Sequence, residues 1–314
     1  MFALDSHRRT ARLLFVGLVA AVLGACAGSS TDDGEGATGG ISGGGAYPGT
    51  GGTATGGNRS TGGTPGTGGA TGTGGVKATG GSTGTGGSAP DGGTVDCTAT
   101  LPTSGGTMHT GSTQGMAGSL SWSLWMNGSG GSITTYSTPA FSASWGPSSG
   151  DFLARIGLQW GNGKAYTSLG TVSADFSETK SGNGGSYSYV GIYGWSVNPC
   201  IEWYIVDDSY NGLPFNPGGS MVGTATIDGG KYNLITRSTT GTGGNRCGNV
   251  TSWNQFYSIR TTKRTCGTIS ITDHWDAWAS NNMQLGAVLE ASILVEAGGG
   301  TGSIQFPIAN VTAQ

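Results

Sequence analysis

Tyr193-Gly-Trp-Ser-Val-Asn-Pro-Cys-Ile-Glu-Trp-Tyr-Ile-Val-Asp-Asp208 is the stretch whose reading decides the fold. From Cys200 onward it alternates: Ile201, Trp203 and Ile205 share one face, and Cys200, Glu202, Tyr204 and Val206 the other, as the side-chain period of two in a strand requires. The first face reads as core. The second sets a carboxylate between a cysteine and a phenol. Glutamate is depleted in strands, and a desolvated carboxylate costs on the order of several kcal/mol unless it is paired. Glu202 is therefore either an edge charge left in water or a working group on the floor of an aromatic groove.

A second strand repeats the pattern. Leu289, Ala291, Ile293 and Val295 alternate with Glu290, Ser292, Leu294 and Glu296. The linker is followed by only four glutamates, Glu178, Glu202, Glu290 and Glu296, and three of them sit on the non-core faces of apolar strands. Two carboxylates facing one groove are the minimum equipment for glycoside hydrolysis, one attacking the anomeric carbon and one protonating the departing oxygen.

Working outward, residues 1–26 read as a targeting leader: Arg8, Arg9 and Arg12 precede an apolar run, Leu13 to Leu23, too short to span a bilayer. The run closes on Leu-Gly-Ala-Cys26, which looks like a bacterial lipobox, so Cys26 is the expected lipidation site and lipid-linked N-terminus. Ala27 after the cysteine points to an outer-membrane or cell-surface location, and ordinary secretion is the alternative. Residues 27–95 are Gly, Thr, Ser and Ala with recurring Thr-Gly-Gly, too poor in large apolar groups to offset chain entropy, and read as a disordered tether. Its random-coil reach is about 40 to 50 Å. The 65 glycines of the whole chain are therefore a misleading average.

Residues 96–314 suit one domain with a sizeable core. Runs rich in Val, Ile, Thr, Tyr and Trp recur between Gly, Ser and Asn turns, which predicts an all-β sandwich or barrel. The runs are 119–126, 140–145, 187–193, 201–206, 231–236, 253–260 and 289–296. One helix is expected over Thr272–Ser280, capped by Thr272 or Asp273. Cys97, Cys200, Cys247 and Cys266 imply two disulfides in an exported domain. Pairing Cys247 with Cys266 is disfavoured by the strand between them, and the other two connectivities stay open. No close Cys or His pair suggests a metal, and no cofactor is expected. A formal charge of −3 without a basic stripe gives no reason to expect nucleic acid.

Tyr-Gly-Trp-x-x-Asn-Pro-x-x-Glu-x-Tyr-Ile-Val resembles the nucleophile strand of glycoside hydrolase family 11, the small β-jelly-roll endo-1,4-β-xylanases. Further segments follow in that family's order: Ser123–Gly128, Gly150-Asp151-Phe152, Asp228–Tyr232, Gln255–Arg260 and Asp273–Trp278, so the resemblance covers roughly residues 118–313. It implies two curved antiparallel sheets with a concave cleft, xylan or xylo-oligosaccharide as substrate, and a monomer. Glu202 falls on the nucleophile position and Glu296 on the acid/base position, with carboxyls about 5 to 5.5 Å apart in a retaining enzyme. Trp125, Tyr193, Tyr204 and Gln255 fall on substrate-binding positions. Asp151 falls beside the acid/base, where an aspartate goes with an acid-shifted optimum. The chain also departs from the pattern. Thr240–Asn249 lacks the thumb's Pro-Ser-Ile, Arg237 and Arg246 compete for the thumb arginine, and Glu290 and Gly298 replace tyrosines. Glu290, about 20 Å from Glu296 along a strand, is expected to be a subsite or solvated residue. The rival reading is a noncatalytic carbohydrate-binding lipoprotein on the same fold.

Overall fold

A computed structural model describes residues 94–241, 245–248 and 250–314. The leader, Cys26 and the tether up to residue 93 lie outside the described residues. In chain order the first strands are β1 (Thr107–Thr110), β2 (Thr113–Ala117), β3 (Leu120–Met126), β4 (Ser132–Thr135), β5 (Phe141–Trp145), β6 (Asp151–Lys164) and β7 (Val172–Gly182). They continue as β8 (Ser188–Val197), β9 (Ile201–Asp208), β10 (Ser220–Ile227), β11 (Gly230–Thr240), β12 (Ser252–Arg260) and β13 (Cys266–Ser270). One helix, α1 (Ile271–Ser280), precedes β14 (Ala287–Gly298) and β15 (Gly302–Ala313). The seven predicted runs all fall on strands, most of them longer than predicted. Strands β6, β7 and β15 were not foreseen along their length.

These strands form two sheets, a nearly all-β jelly roll: the turn-punctuated pattern predicted a sandwich or barrel, and the family resemblance implied the two curved sheets. One has the order β1-β4-β5-β15-β7-β13, the other β10-β11-β12-β9-β8-β14-β6-β3-β2. In the larger sheet β9 runs parallel to β12 and antiparallel to β8, so the hairpin quoted above lies in its middle. Ile201, Trp203 and Ile205 are buried in the main core, while Tyr204 and Val206 belong to a second cluster on the opposite face. That second face is no bare solvent surface. Tyr189, Tyr193, Trp195, Tyr204 and Tyr257 pave it, all nearly inaccessible.

Gly194 stands between two of these aromatics for a steric reason. A Cβ there would overlap the Trp203 ring from the neighbouring strand and the Glu290 carbonyl oxygen, so only glycine lets the three strands close up.

The helix buries Ile271, His274, Trp275 and Trp278, the i, i+3, i+4, i+7 stripe of an amphipathic segment. Trp275 meets Trp203 edge-on with ring centroids 5.5 Å apart, and Trp278 donates its indole N–H to Ser258 Oγ at 2.9 Å. The helix thus braces β9 and β12 from behind. Its start corrects the expected cap: the first helical residue is Ile271 and the cap position is Ser270. Ser270 Oγ donates to Asp228 at 2.6 Å, while Thr272 Oγ1 accepts from the Val172 amide at 2.8 Å. Both hydroxyls are engaged by other segments, a tertiary demand that local capping signals do not contain.

His274 is buried against Tyr232 with its pKa lowered to about 3 by burial and by Arg264 and Arg260, which fits a structural role. His109 stacks on Trp122 at 4.1 Å. The disulfides are Cys97–Cys266 and Cys200–Cys247, one of the two connectivities left open by the sequence.

Candidate active site

The paved face of the larger sheet forms the floor of a cleft of about 680 Å³. Glu202, Glu296, Trp125, Asp151, Tyr193, Tyr204 and Gln255 all line it, so the fold brings every expected cleft residue together from six strands, β3, β6, β8, β9, β12 and β14 each facing the same space.

Glu202 is held by four donors. Tyr193 and Tyr204 each give a hydroxyl to Oε1 at 3.0 Å. Gln255 Nε2 reaches Oε2 at 2.7 Å and Trp253 Nε1 reaches the same oxygen at 2.9 Å. The register explains the arrangement: Tyr193 lies opposite Tyr204 across β8 and β9, and Gln255 is the partner of Glu202 across β9 and β12. Trp195 in turn donates to the Tyr193 hydroxyl, fixing that phenol. Burial, and next the Glu202 charge, push Tyr193 and Tyr204 well above the usual phenol range, so both stay protonated and serve as donors. A carboxylate accepting four hydrogen bonds has its charge and its direction fixed.

Glu296 has the opposite environment. It is nearly inaccessible, and its Oε2 has no hydrogen-bond partner. Burial raises its pKa well above the ordinary value; the nearby Asp151 and Glu202 charges push further the same way, and Tyr204 and Arg155 pull back. Asp151 is raised as well, first by burial, with a Tyr187 hydrogen bond opposing and the Glu202 charge adding. One carboxyl is thus dressed as an anion and the other as an acid, with the Asp151 and Glu202 charges favouring the proton on Glu296.

Trp125 is the exposed aromatic of the cleft, 37% accessible, with its apolar face free to meet the CH face of a sugar ring. Gln255, expected on a substrate-binding position, touches Glu202 itself. Both candidate thumb arginines line the cleft. Arg237 donates to the Pro217 carbonyl at 2.9 Å and Arg246 to Glu290 at 2.9 Å.

Glu290 is not solvated. It is fully buried, with Arg246 on one oxygen and Arg155 Nε 3.4 Å from the other. The strand rise could not reveal two arginines from other segments that let its charge be buried.

Trp253, Arg155 and Tyr187 are cleft residues the sequence reading passed over. A signal existed for the first two: Trp253 precedes Gln255 by two in one strand, and Arg155 follows Asp151 by four, even spacings that place each pair on one face. Tyr187, which immediately precedes β8, had only its place in the aromatic run 187–193.

The profile of glycosyl hydrolases family 11 matches residues 117–307 of this chain. Endo-1,4-beta-xylanase S20 of Neocallimastix patriciarum is 43% identical over 178 residues, covering 55% of this chain and 52% of that protein. Endo-1,4-beta-xylanase C of Fibrobacter succinogenes is 37% identical over 172 residues, 55% of this chain and 28% of that protein. The matched segment therefore spans about half the length, or less, of these curated relatives. Among solved structures, wild-type ENZbleach xylanase superposes with a TM-score of 0.62 at 30% identity, covering 68% of this chain and 89% of that one.

Proposed function

The chain belongs to glycosyl hydrolases family 11, and on that premise we propose that it is an endo-1,4-β-xylanase working by retaining double displacement. Glu202 attacks the anomeric carbon while Glu296 gives its proton to the departing glycosidic oxygen, so one C–O bond forms as the other breaks. The sugar becomes an ester of Glu202. Loss of the Glu202 charge lowers the proton affinity of Glu296, which then takes a proton from water as the water attacks the anomeric carbon, breaking its bond to Glu202 and releasing the carboxylate. The expected carboxyl separation for this chemistry is about 5 to 5.5 Å.

The observation that carries the reading is the contrast between the two acids: Glu202 grasped by four donors, Glu296 buried with one oxygen unpartnered and its proton held tightly. A binding module has no use for that asymmetry. Trp125 and the phenols supply the sugar platform, and Asp151 shares in the protonation of Glu296. The leader ending at Cys26 and the glycine-rich stretch after it support an exported, lipid-anchored form in which residues 27–95 tether the catalytic domain. The test is reducing-sugar release from xylan by the full chain beside Glu202→Gln. Release by the first and loss of at least about a thousandfold in the second is expected of a nucleophile. Binding of xylan by both with release by neither would favour the noncatalytic alternative, and metabolic labelling with palmitate beside Cys26→Ser tests the anchor.

A further inference from the structure

Xylan's backbone is neutral, offering hydroxyls, ring oxygens and CH faces, and it gives a cleft no reason to bury arginines. Yet Arg155 and Arg246 both line this cleft beside Glu290. The Arg155, Arg246 and Glu290 triad by itself carries a formal charge of +1, and the Glu202 anion lies beyond the Tyr193 ring that Arg155 covers. Glu290 is fully buried beneath them, Arg155 is almost so, and Arg246 keeps about a third of its side chain, 32%, accessible. The arrangement is a poor device for stability alone, because buried ion pairs and triads are commonly replaced by apolar side chains at no loss.

Arg246 uses Nη1 on Glu290, and a guanidinium has five N–H donors in a fixed fork. Its neighbour Cys247 is bonded to Cys200 at the start of the Glu202 strand, so this part of the loop is fastened to the cleft independently of the ion pair. Arg155 lies over the Tyr193 ring at 5.0 Å, which sets the charge directly beside the sugar platform.

We propose that Arg246, oriented by Glu290 and backed by Arg155, forms an anion-binding subsite that accepts the carboxylate of a uronic-acid substituent on the xylan chain. This deepens the xylanase reading and rests on it: the enzyme selects acid-decorated stretches of its polymer. Glu290 and Arg155 are positioning residues, and Arg246 is the one that meets the ligand. A carboxylate matches the guanidinium fork, which is the geometry that makes such pairs directional.

The measurement is calorimetric binding to the full-length Glu202→Gln protein of two ligands: a xylo-oligosaccharide carrying one uronic-acid branch, and the same oligosaccharide with that carboxyl reduced to the alcohol. The acidic ligand should bind roughly tenfold more tightly at low ionic strength, with the preference shrinking as salt is added. Arg246→Gln should bring the ratio of affinities to about one, and Arg246→Lys should restore part of it, since a point charge replaces the fork. Equal affinities for the two ligands, or an Arg246→Gln protein that keeps the full ratio, overturns the proposal. Failure of the wild-type enzyme to cleave either oligosaccharide would count against the hydrolase reading, while the affinity ratio would still decide the subsite.

Discussion

Replacing Gln255 with methionine removes one donor from Glu202 while keeping the side chain's length and nearly its volume. Gln255 Nε2 lies 2.7 Å from Oε2, and both residues are buried, so this is a charge-assisted bond shielded from water. Such a bond contributes about 1.5 to 3 kcal/mol. Trp253 remains on the same oxygen at 2.9 Å and takes up part of the loss, which favours the lower end of that range. The bond fixes the direction in which the carboxylate faces the anomeric carbon, so its loss should appear in the rate of attack. At about 1.36 kcal/mol per factor of ten, kcat/KM for xylo-oligosaccharide cleavage should fall roughly tenfold. Trp253→Phe, which removes the other donor on the same oxygen, should cost a similar factor, and the double variant more than either. An unchanged kcat/KM in both single variants would refute the argument that these donors position Glu202.

Asp151→Asn separates two mechanisms by direction. If Asp151 shares the buried proton with Glu296, as the family resemblance implies, the optimum should move upward in pH; if it acts only as a repelling charge on Glu296, the alkaline limb should fall instead. We expect the upward movement, and a profile that stays in place removes Asp151 from the mechanism. Trp125→Ala should raise KM several-fold with little change in kcat, the pattern of uniform binding lost, and an equal fall in kcat would show that Trp125 acts on the transition state. Glu178 is buried beside Asp208 and Lys180, and its pKa is pushed up to about 8, burial being the larger cause and the Asp208 hydrogen bond the next. Between about pH 4.5 and 8 the folded protein keeps a proton that the unfolded chain has released, so its stability falls as pH rises through that window. Relative to wild type, Glu178→Gln should gain roughly 1 kcal/mol per pH unit over that range and level off above it. Melting curves at pH 5 and pH 8 test this, and a constant difference between the two proteins would contradict it.

Much of the site was legible because strand chemistry is local. A period of two places Glu202 with Tyr204 and Glu296 with Leu294 and Glu290, whatever the strands pair with, and the Gly-rich segment before residue 96 announces its own lack of core-forming side chains. Length and turn spacing led to a single all-β sandwich or barrel on the same grounds, while the two curved sheets came with the family resemblance. The cap of the helix was misplaced because Thr272 and Ser270 answer to Val172 and Asp228, about a hundred and about forty positions away, and no local rule carries such contacts.

What the sequence by itself determined was which residues face together along each strand, how many cysteines must pair, and which acids stand out against apolar neighbours. Only the tertiary structure decided what those acids experience. Glu202 becomes a caged anion because β8 and β12 flank its strand in one register, Glu296 keeps its proton because burial and two neighbouring carboxyls disfavour its charge, and Glu290 can be buried charged because arginines from two other segments meet it. Protonation depends on distances between atoms remote along the chain, and those distances exist only once the sheets have closed.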